Sequence, residues 1–191
     1  MKVIALNGSP RKEGNTALLL GHVASALEQE GIETETVHIA GAPVRGCTAC
    51  MKCRERQDGH CIIGDDIVNG CIDKMVASDG ILLGSPTYFA DLTAEMKALI
   101  DRAGFVARGN GHMLRRKVGA AVAPARRAGS IHALDSMNHF FLLSQMIVPG
   151  SSYWNMAVGR AVGDVESDAE GIDTMKTLGQ TMAWLLTKLA N

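Results

Sequence analysis

Four cysteines lie within fifteen residues and are the side chains in this sequence best suited to chemistry. Cys47, Cys50 and Cys53 follow a C-x2-C-x2-C spacing, and seven residues separate Cys53 from Cys61. This spacing is typical of cysteines that wrap a [4Fe–4S] cluster. Zinc is an alternative, although zinc sites commonly use two separated C-x2-C pairs. Free or redox-active thiols are a third interpretation.

A second candidate site is the turn-rich segment 8–16, which lies between a predicted strand and a predicted helix. Backbone N–H groups at a helix N-terminus attract phosphate, and glycines permit the turn that exposes them. Ser9, Arg11, Asn15 and Thr16 could donate hydrogen bonds to a phosphate. The segment contains neither a P-loop nor a dinucleotide-binding motif. A capped turn with ordinary surface charges is the alternative.

Segment 84–91 follows another predicted strand and offers apolar planes beside a proline-stiffened turn. Tyr88 and Phe89 would suit a flat heteroaromatic ring, and Pro86 and Thr87 precede them. The alternative is that the two aromatic side chains only fasten the loop to the following helix.

The elements that must position these loops alternate between apolar runs and amphipathic segments. Short apolar runs predict buried strands, and helical spacing of apolar residues between them predicts helices. Such alternation predicts an α/β fold with a parallel sheet, whose ligands bind beyond the carboxyl ends of the strands. The predicted strands are 3–6, 34–39, 81–83, 118–123 and a fifth at 146–148, continuing near 154–158.

Composition limits the classes of function. Of the 191 residues, 47% are hydrophobic and 20% are charged, which predicts a folded core rather than disorder. The net charge is -1 and only 4% of residues are aromatic, so neither nucleic acid nor a membrane is an expected partner. Apolar stretches are too short for a signal peptide or a membrane span, which predicts a cytoplasmic protein. A reducing compartment favours metal or redox roles for the cysteines over disulfides.

The loops 7–16 and 84–89 together resemble the flavin-binding loops of the flavodoxin-like NAD(P)H-dependent FMN reductase superfamily. They read Asn-Gly-Ser-Pro-Arg, ending in Gly-Asn-Thr, and Gly-Ser-Pro-Thr-Tyr-Phe. The resemblance implies a flavodoxin-like α/β fold, with a five-stranded parallel sheet in the order 2-1-3-4-5 and helices on both faces. It also implies FMN, with Ser9, Arg11, Asn15 and Thr16 around the phosphate. The ribityl chain and the isoalloxazine are then expected along Pro86, Thr87, Tyr88 and Phe89.

The cysteine motif more narrowly resembles the iron–sulfur flavoproteins, a branch of the same superfamily. In that branch the cysteines occupy the loop after the second strand, where they also fall here. The resemblance implies a [4Fe–4S] cluster held by Cys47, Cys50, Cys53 and Cys61, with FMN close by. The expected organisation is one flavodoxin-like FMN-binding domain over residues 1–191, with a cysteine-rich insertion at about 41–64.

Segment 124–130 departs from the glycine-rich turn that many relatives carry after the fourth strand. It contains Arg126 and Arg127, whose guanidinium groups are expected to stabilise negative charge on a reduced flavin. A solvated basic turn is the alternative for at least one of the two.

Together these features predict an FMN-dependent oxidoreductase or electron carrier that relays electrons between FMN and a [4Fe–4S] cluster. A cluster-free NAD(P)H-dependent FMN or quinone reductase is the first alternative, and a zinc-stabilised binding module is the second. No side chain is expected to act as a general acid or base, because the cofactors carry the chemistry. NAD(P)H is the candidate electron donor, and a redox protein or a small molecule is the candidate acceptor. The resemblance further implies a homodimer or homotetramer.

Overall fold

A five-stranded parallel sheet forms the centre of the structure, a computed structural model that describes residues 1–190. The strands are ordered β2-β1-β3-β4-β5 and every neighbouring pair is parallel, which confirms the predicted flavodoxin-like topology. The strands are β1 (Lys2–Asn7), β2 (Glu33–His38), β3 (Gly80–Gly84), β4 (Val118–Ala125) and β5 (Met156–Val158). The α-helices are α1 (Asn15–Gln29), α2 (Lys52–Arg56), α3 (Val68–Ala77), α4 (Ala94–Gly109), α5 (Ser130–Leu143) and α6 (Ala169–Ala190).

Helices cover both faces of the sheet and create two separate cores. β3 and β4 are buried along their whole length, as continuous apolar runs predict for strands of a parallel sheet. Ile81 and Leu83 pack in the core formed with α3, α4 and α5, whereas Leu82 packs in the core formed with α1 and α6. Side chains of β3 therefore alternate between the two cores. Among residues 1–190, no helix is both long and apolar enough to cross a membrane.

The fifth strand is shorter than predicted. Residues 156–158 pair with β4, whereas the predicted segment 146–148 forms only an isolated bridge between Ile147 and Val118. Pro149 has no backbone N–H, so the pairing cannot continue beyond that bridge.

The cysteine-rich segment contains a short helix, α2, that the sequence analysis did not predict. It begins after Met51 and ends before Gln57, two residues with positive φ (59° and 50°). Five residues are too few to display helical periodicity, so the hydrophobic pattern contains no signal for this helix.

Hydrogen bonds join the loops that follow β1, β2 and β3 at the carboxyl edge of the sheet. The N–H of Gly8 donates to the carbonyl of Gly84 at 2.8 Å, and the Thr93 hydroxyl donates to the carbonyl of Gly8 at 2.8 Å. At the end of β2, the His38 ring donates from Nε2 to the carbonyl of Ser9 at 2.7 Å. The loops after β1, β2 and β3 are thereby fixed to one another.

Candidate functional site

One cleft of about 230 Å³ opens at the carboxyl edge of the sheet, and we call it the arginine cleft. Every charged residue that lines it is an arginine, and within residues 1–190 none of these three guanidinium groups makes an ion pair. An anionic ligand is therefore favoured. The cleft is lined by Ser9, Arg11, Asn15, Thr16, Pro86, Thr87, Tyr88, Pro124, Arg126, Gly159 and Arg160.

The Thr16 hydroxyl is the clearest indication of a ligand-binding position in the arginine cleft. Thr16 lies in the first turn of α1 and is 1% exposed. Its side-chain oxygen has no hydrogen-bond partner among the residues that the structure describes. Because buried polar groups are nearly always paired, this hydroxyl indicates a partner from outside the chain. A phosphate at the N-terminus of α1 would accept its hydrogen bond.

The N-terminus of α1 is open toward the arginine cleft. Its cap residue is Gly14, whose lack of a side chain leaves the first N–H groups uncapped, and the first turn contains no acidic residue. The Ser9 hydroxyl oxygen accepts the backbone N–H of Arg11 at 3.1 Å, which curls the loop ahead of the helix. Free N–H groups and the positive end of the helix dipole make this end an anion-binding element.

Asn15 connects the first loop to the segment that follows β5. Its side-chain NH₂ donates to the carbonyl of Ala161 at 2.8 Å, and its side-chain oxygen accepts the N–H of Gly163 at 2.8 Å. This connection brings Arg160 to the cleft. Arg160 was not predicted as a site residue, because nothing near it in the sequence indicates a contact with the loop after β1.

The loop after β3 reaches the end of β4 through Thr87. The Thr87 N–H and hydroxyl both donate to the carbonyl of Pro124, at 3.2 and 3.0 Å. Phe89 is fully exposed and, like Arg127, is not among the cleft-lining residues. The arginine cleft thus brings together eight of the ten side chains predicted for the cofactor, all except Phe89 and Arg127.

Gly129 determines how closely the loop after β3 and the loop after β4 approach each other. Its φ is +92°, and a Cβ atom there would lie 2.9 Å from the Cα of Ala90. We expect Gly129→Ala to lower the free energy of unfolding by roughly 1–3 kcal/mol, measured by urea denaturation. Gly111→Ala is the matched control, because Gly111 has a φ of +80° but open space around it. Equal losses in the two variants would show that the contact with Ala90 contributes nothing.

The four cysteines predicted as ligands line one small cavity, which we call the thiol cavity. All four are free thiols, and Phe105 of α4 contributes an apolar wall. Among residues 1–190, no three His, Cys, Asp or Glu side chains form a site for a single metal ion. Cys47, Cys50, Cys53 and Cys61 thus border a shared space.

The backbone bends sharply on both sides of Cys50. Ala49 and Met51 have φ values of 52° and 59°, in the left-handed region that favours glycine. Each residue in this conformation lowers the stability of the folded state by about 1–3 kcal/mol, and such residues cluster at functional sites. The backbone preferences of Ala49 and Met51 alone do not account for this path of the chain.

Two of the thiols have shifted pKa values. The backbone N–H of Lys52 and the hydroxyl of Thr48 lower the pKa of the exposed Cys50 thiol. Burial raises the pKa of the Cys53 thiol. Hydrogen-bond donors of this kind stabilise the thiolate, which is the form that binds metals.

Arg102 of α4 is a component of the thiol cavity that the sequence analysis missed. Its side chain is fully buried, and its Nε donates to the Sγ of Cys61 at 3.3 Å. The guanidinium also donates to the carbonyls of Arg45 at 3.1 Å and Ile63 at 2.6 Å, and to the carboxylate of Asp66. The signal in the sequence was an arginine at an apolar position of an amphipathic helix, which is costly unless partners surround it.

The fifth cysteine, Cys71, lies apart from the thiol cavity. It is fully buried in the core formed with α3, α4 and α5, together with Met75 of the same helix. Burial raises the pKa of its thiol to about 11. Cys71 is therefore a core residue.

Comparison with known proteins gives one family. A profile of the NADPH-dependent FMN reductase family matches residues 1–161. The chain is 41% identical over 190 residues to an iron–sulfur flavoprotein of Methanocaldococcus jannaschii, with 96% of each chain covered. It is 35% identical to an iron–sulfur flavoprotein of Methanosarcina thermophila, over 85% of this chain and 87% of that one. The crystal structure of RosB, with a bound intermediate, matches with a TM-score of 0.74 and 16% identity, over 100% of this chain and 80% of that one, a likeness of fold.

Proposed function

Because the chain belongs to the NADPH-dependent FMN reductase family, in its iron–sulfur flavoprotein branch, we propose that it relays electrons between FMN and a [4Fe–4S] cluster. Membership makes it an FMN-binding redox protein and a flavin-dependent oxidoreductase. The cluster is the further step of the proposal. The observation that carries it is that all four cysteines of the motif line one cavity. We propose NAD(P)H as the electron donor, and a redox protein or a small molecule as the acceptor.

The arginine cleft is the proposed FMN site. The unpaired Thr16 hydroxyl and the open N-terminus of α1 suit the phosphate, whose negative charge Arg11 would pair with. The side chains from Pro86 to Tyr88 would lie along the ribityl chain and the ring. Ser9 and Asn15 would shape the phosphate loop through their backbone contacts.

The thiol cavity is the proposed cluster site. A four-iron cluster takes one thiolate at each iron, so its ligands stand around a space rather than around one ion. The apolar wall that includes Phe105 and Val106 would limit water access. Such a wall, together with N–H donors to the sulfurs, controls the reduction potential of a metal centre.

The two proposed cofactors would have different roles. When bound in the arginine cleft, FMN would supply two-electron uptake and one-electron release, and a [4Fe–4S] cluster in the thiol cavity would supply one-electron transfer. The protein holds each group and sets its electrostatic surroundings. Arg126, which directly follows β4, belongs to those surroundings because it lines the arginine cleft.

We expect Arg126→Ala to lower the midpoint potential of bound FMN. Loss of a positive charge beside the flavin destabilises the anionic reduced form more than the oxidised form. The expected decrease is about 30 mV, which is tenfold in a two-electron equilibrium. A spectroelectrochemical titration measures it. Arg127→Ala is the control, since Arg127 lies outside the cleft lining, and equal potentials in both variants would remove Arg126 from this role.

The relay itself is tested by reducing the protein through its flavin. The anaerobically reconstituted protein is mixed with NADPH, with FMN bound and after FMN has been removed, and cluster reduction is followed by electron paramagnetic resonance. We expect a reduced cluster only when FMN is bound, and restoration when FMN is added back. A cluster that is reduced equally without FMN would refute the relay. Rapid NADPH oxidation by a chain that holds FMN but no iron would favour the cluster-free reductase.

A further inference from the structure

A buried ion pair borders the thiol cavity, whose lining includes its arginine, Arg102. The side chains of Arg102 and Asp66 are 0% and 4% exposed, and the guanidinium donates to the carboxylate. The carboxylate also accepts the N–H groups of Val68 at 3.1 Å and Arg45 at 3.3 Å. Burying two charges is costly, so such a pair is retained only where its surroundings satisfy it or where it serves a role.

The guanidinium is fixed in orientation by the cysteine-rich segment. Arginine has five N–H donors in a rigid plane, and four of them are used here. One points to the carbonyl of Arg45, one to the carbonyl of Ile63 and one to Asp66. The Nε–H is thereby aimed at the Sγ of Cys61, 3.3 Å away. A lysine has the charge but not this planar fork of donors.

We propose that Arg102 is a positioning residue that holds Cys61 in place as a cluster ligand and raises the reduction potential of the centre. This inference rests on the proposed function, since it assumes a cluster in the thiol cavity. Reduction adds negative charge to the cluster and its sulfurs. An N–H donor and a positive charge at one sulfur stabilise that reduced form more than the oxidised form.

The test compares cluster potentials in four reconstituted proteins. They are the wild type, Arg102→Lys, the double variant Arg102→Met with Asp66→Asn, and Arg108→Met. The double variant removes both buried charges together, so it leaves no unpaired ion in the interior. Arg108→Met is the matched control, because it removes an exposed arginine from the same helix. Iron per chain and the potential from a titration monitored by electron paramagnetic resonance are measured on each.

We expect the double variant to have a lower cluster potential, by about 59 mV for a tenfold change in the one-electron equilibrium. Arg102→Lys should show a smaller decrease and Arg108→Met none. A folded double variant that binds little iron supports the inference that Arg102 holds Cys61 in place as a ligand. A fully loaded double variant with the wild-type potential overturns the inference and leaves the proposed function standing.

Two further outcomes are also decisive. If the double variant does not fold, Arg102→Lys decides, and a wild-type potential in that variant overturns the inference. If the wild type itself binds no iron after reconstitution, the cluster part of the proposed function fails, and the inference fails with it.

Discussion

Replacing Cys50 with alanine is expected to abolish cluster binding while FMN remains bound. Iron should fall from roughly four per chain, the content of one [4Fe–4S] centre, to nearly none. With one of four thiolates gone, one iron has no protein ligand. Cys50 is exposed, so its loss removes little packing and the fold should survive. Iron, sulfide and FMN are counted on the same anaerobically reconstituted sample.

Cys71→Ala is the matched control for the loss of iron. Cys71 is a cysteine of the same chain but is buried in the core and lies outside the thiol cavity. We expect it to retain full iron and to lose about 1 kcal/mol of unfolding free energy, because a small cavity replaces the thiol. Full iron in Cys50→Ala, or iron lost from Cys71→Ala at an intact fold, would contradict the ligand assignment.

Replacing Thr16 with valine is expected to weaken FMN binding by roughly 10- to 100-fold. A hydrogen bond to a charged group contributes about 1.5–3 kcal/mol, and each 1.4 kcal/mol is tenfold in affinity. Thr16 is 1% exposed and its hydroxyl has no partner among residues 1–190, so we assign that hydrogen bond to the phosphate. Titration of the apoprotein with FMN, followed by fluorescence quenching, measures the change.

The stability of the FMN-free Thr16→Val protein separates binding from folding. Valine fills about the same volume and removes a buried hydroxyl that no other residue of the described part of the chain pairs with, so stability should be unchanged or increased. Thr181→Val is the control, because the Thr181 hydroxyl donates within α6 to the carbonyl of Thr177 at 2.9 Å. Its FMN affinity should equal that of the wild type. Unchanged affinity in Thr16→Val, or a matching loss of stability, would refute the assignment.

The fold was predictable because its signals are local and repeated. Continuous apolar strands such as Ile81–Leu83 are typical of a sheet covered on both faces, and the structure buries them on both faces. The strand order came from the resemblance of the two loops to known flavin-binding loops. The fifth strand was less well predicted, since apolar residues 146–148 resemble a strand but Pro149 ends their pairing after one bridge.

The candidate site was predictable in proportion to how close its parts lie in the sequence. The four cysteines fall within fifteen residues, so their spacing alone indicated a shared site. Arg160 and Arg102 reach the two sites only through tertiary contacts, the first through Asn15 and the second from a helix face. No periodicity or short motif encodes such contacts. The unpaired state of the Thr16 hydroxyl is likewise visible only in three dimensions.

The proposed electron relay is tested most directly by the cofactor content of one anaerobically purified sample. A visible spectrum is recorded, and iron, sulfide, zinc and FMN are quantified per chain. We expect flavin bands with a broad iron–sulfur shoulder and roughly four irons and four sulfides per chain, as a [4Fe–4S] centre requires. Flavin without iron after reconstitution would contradict the relay and favour the cluster-free reductase. A colourless protein that holds stoichiometric zinc and takes up no FMN would contradict the whole account.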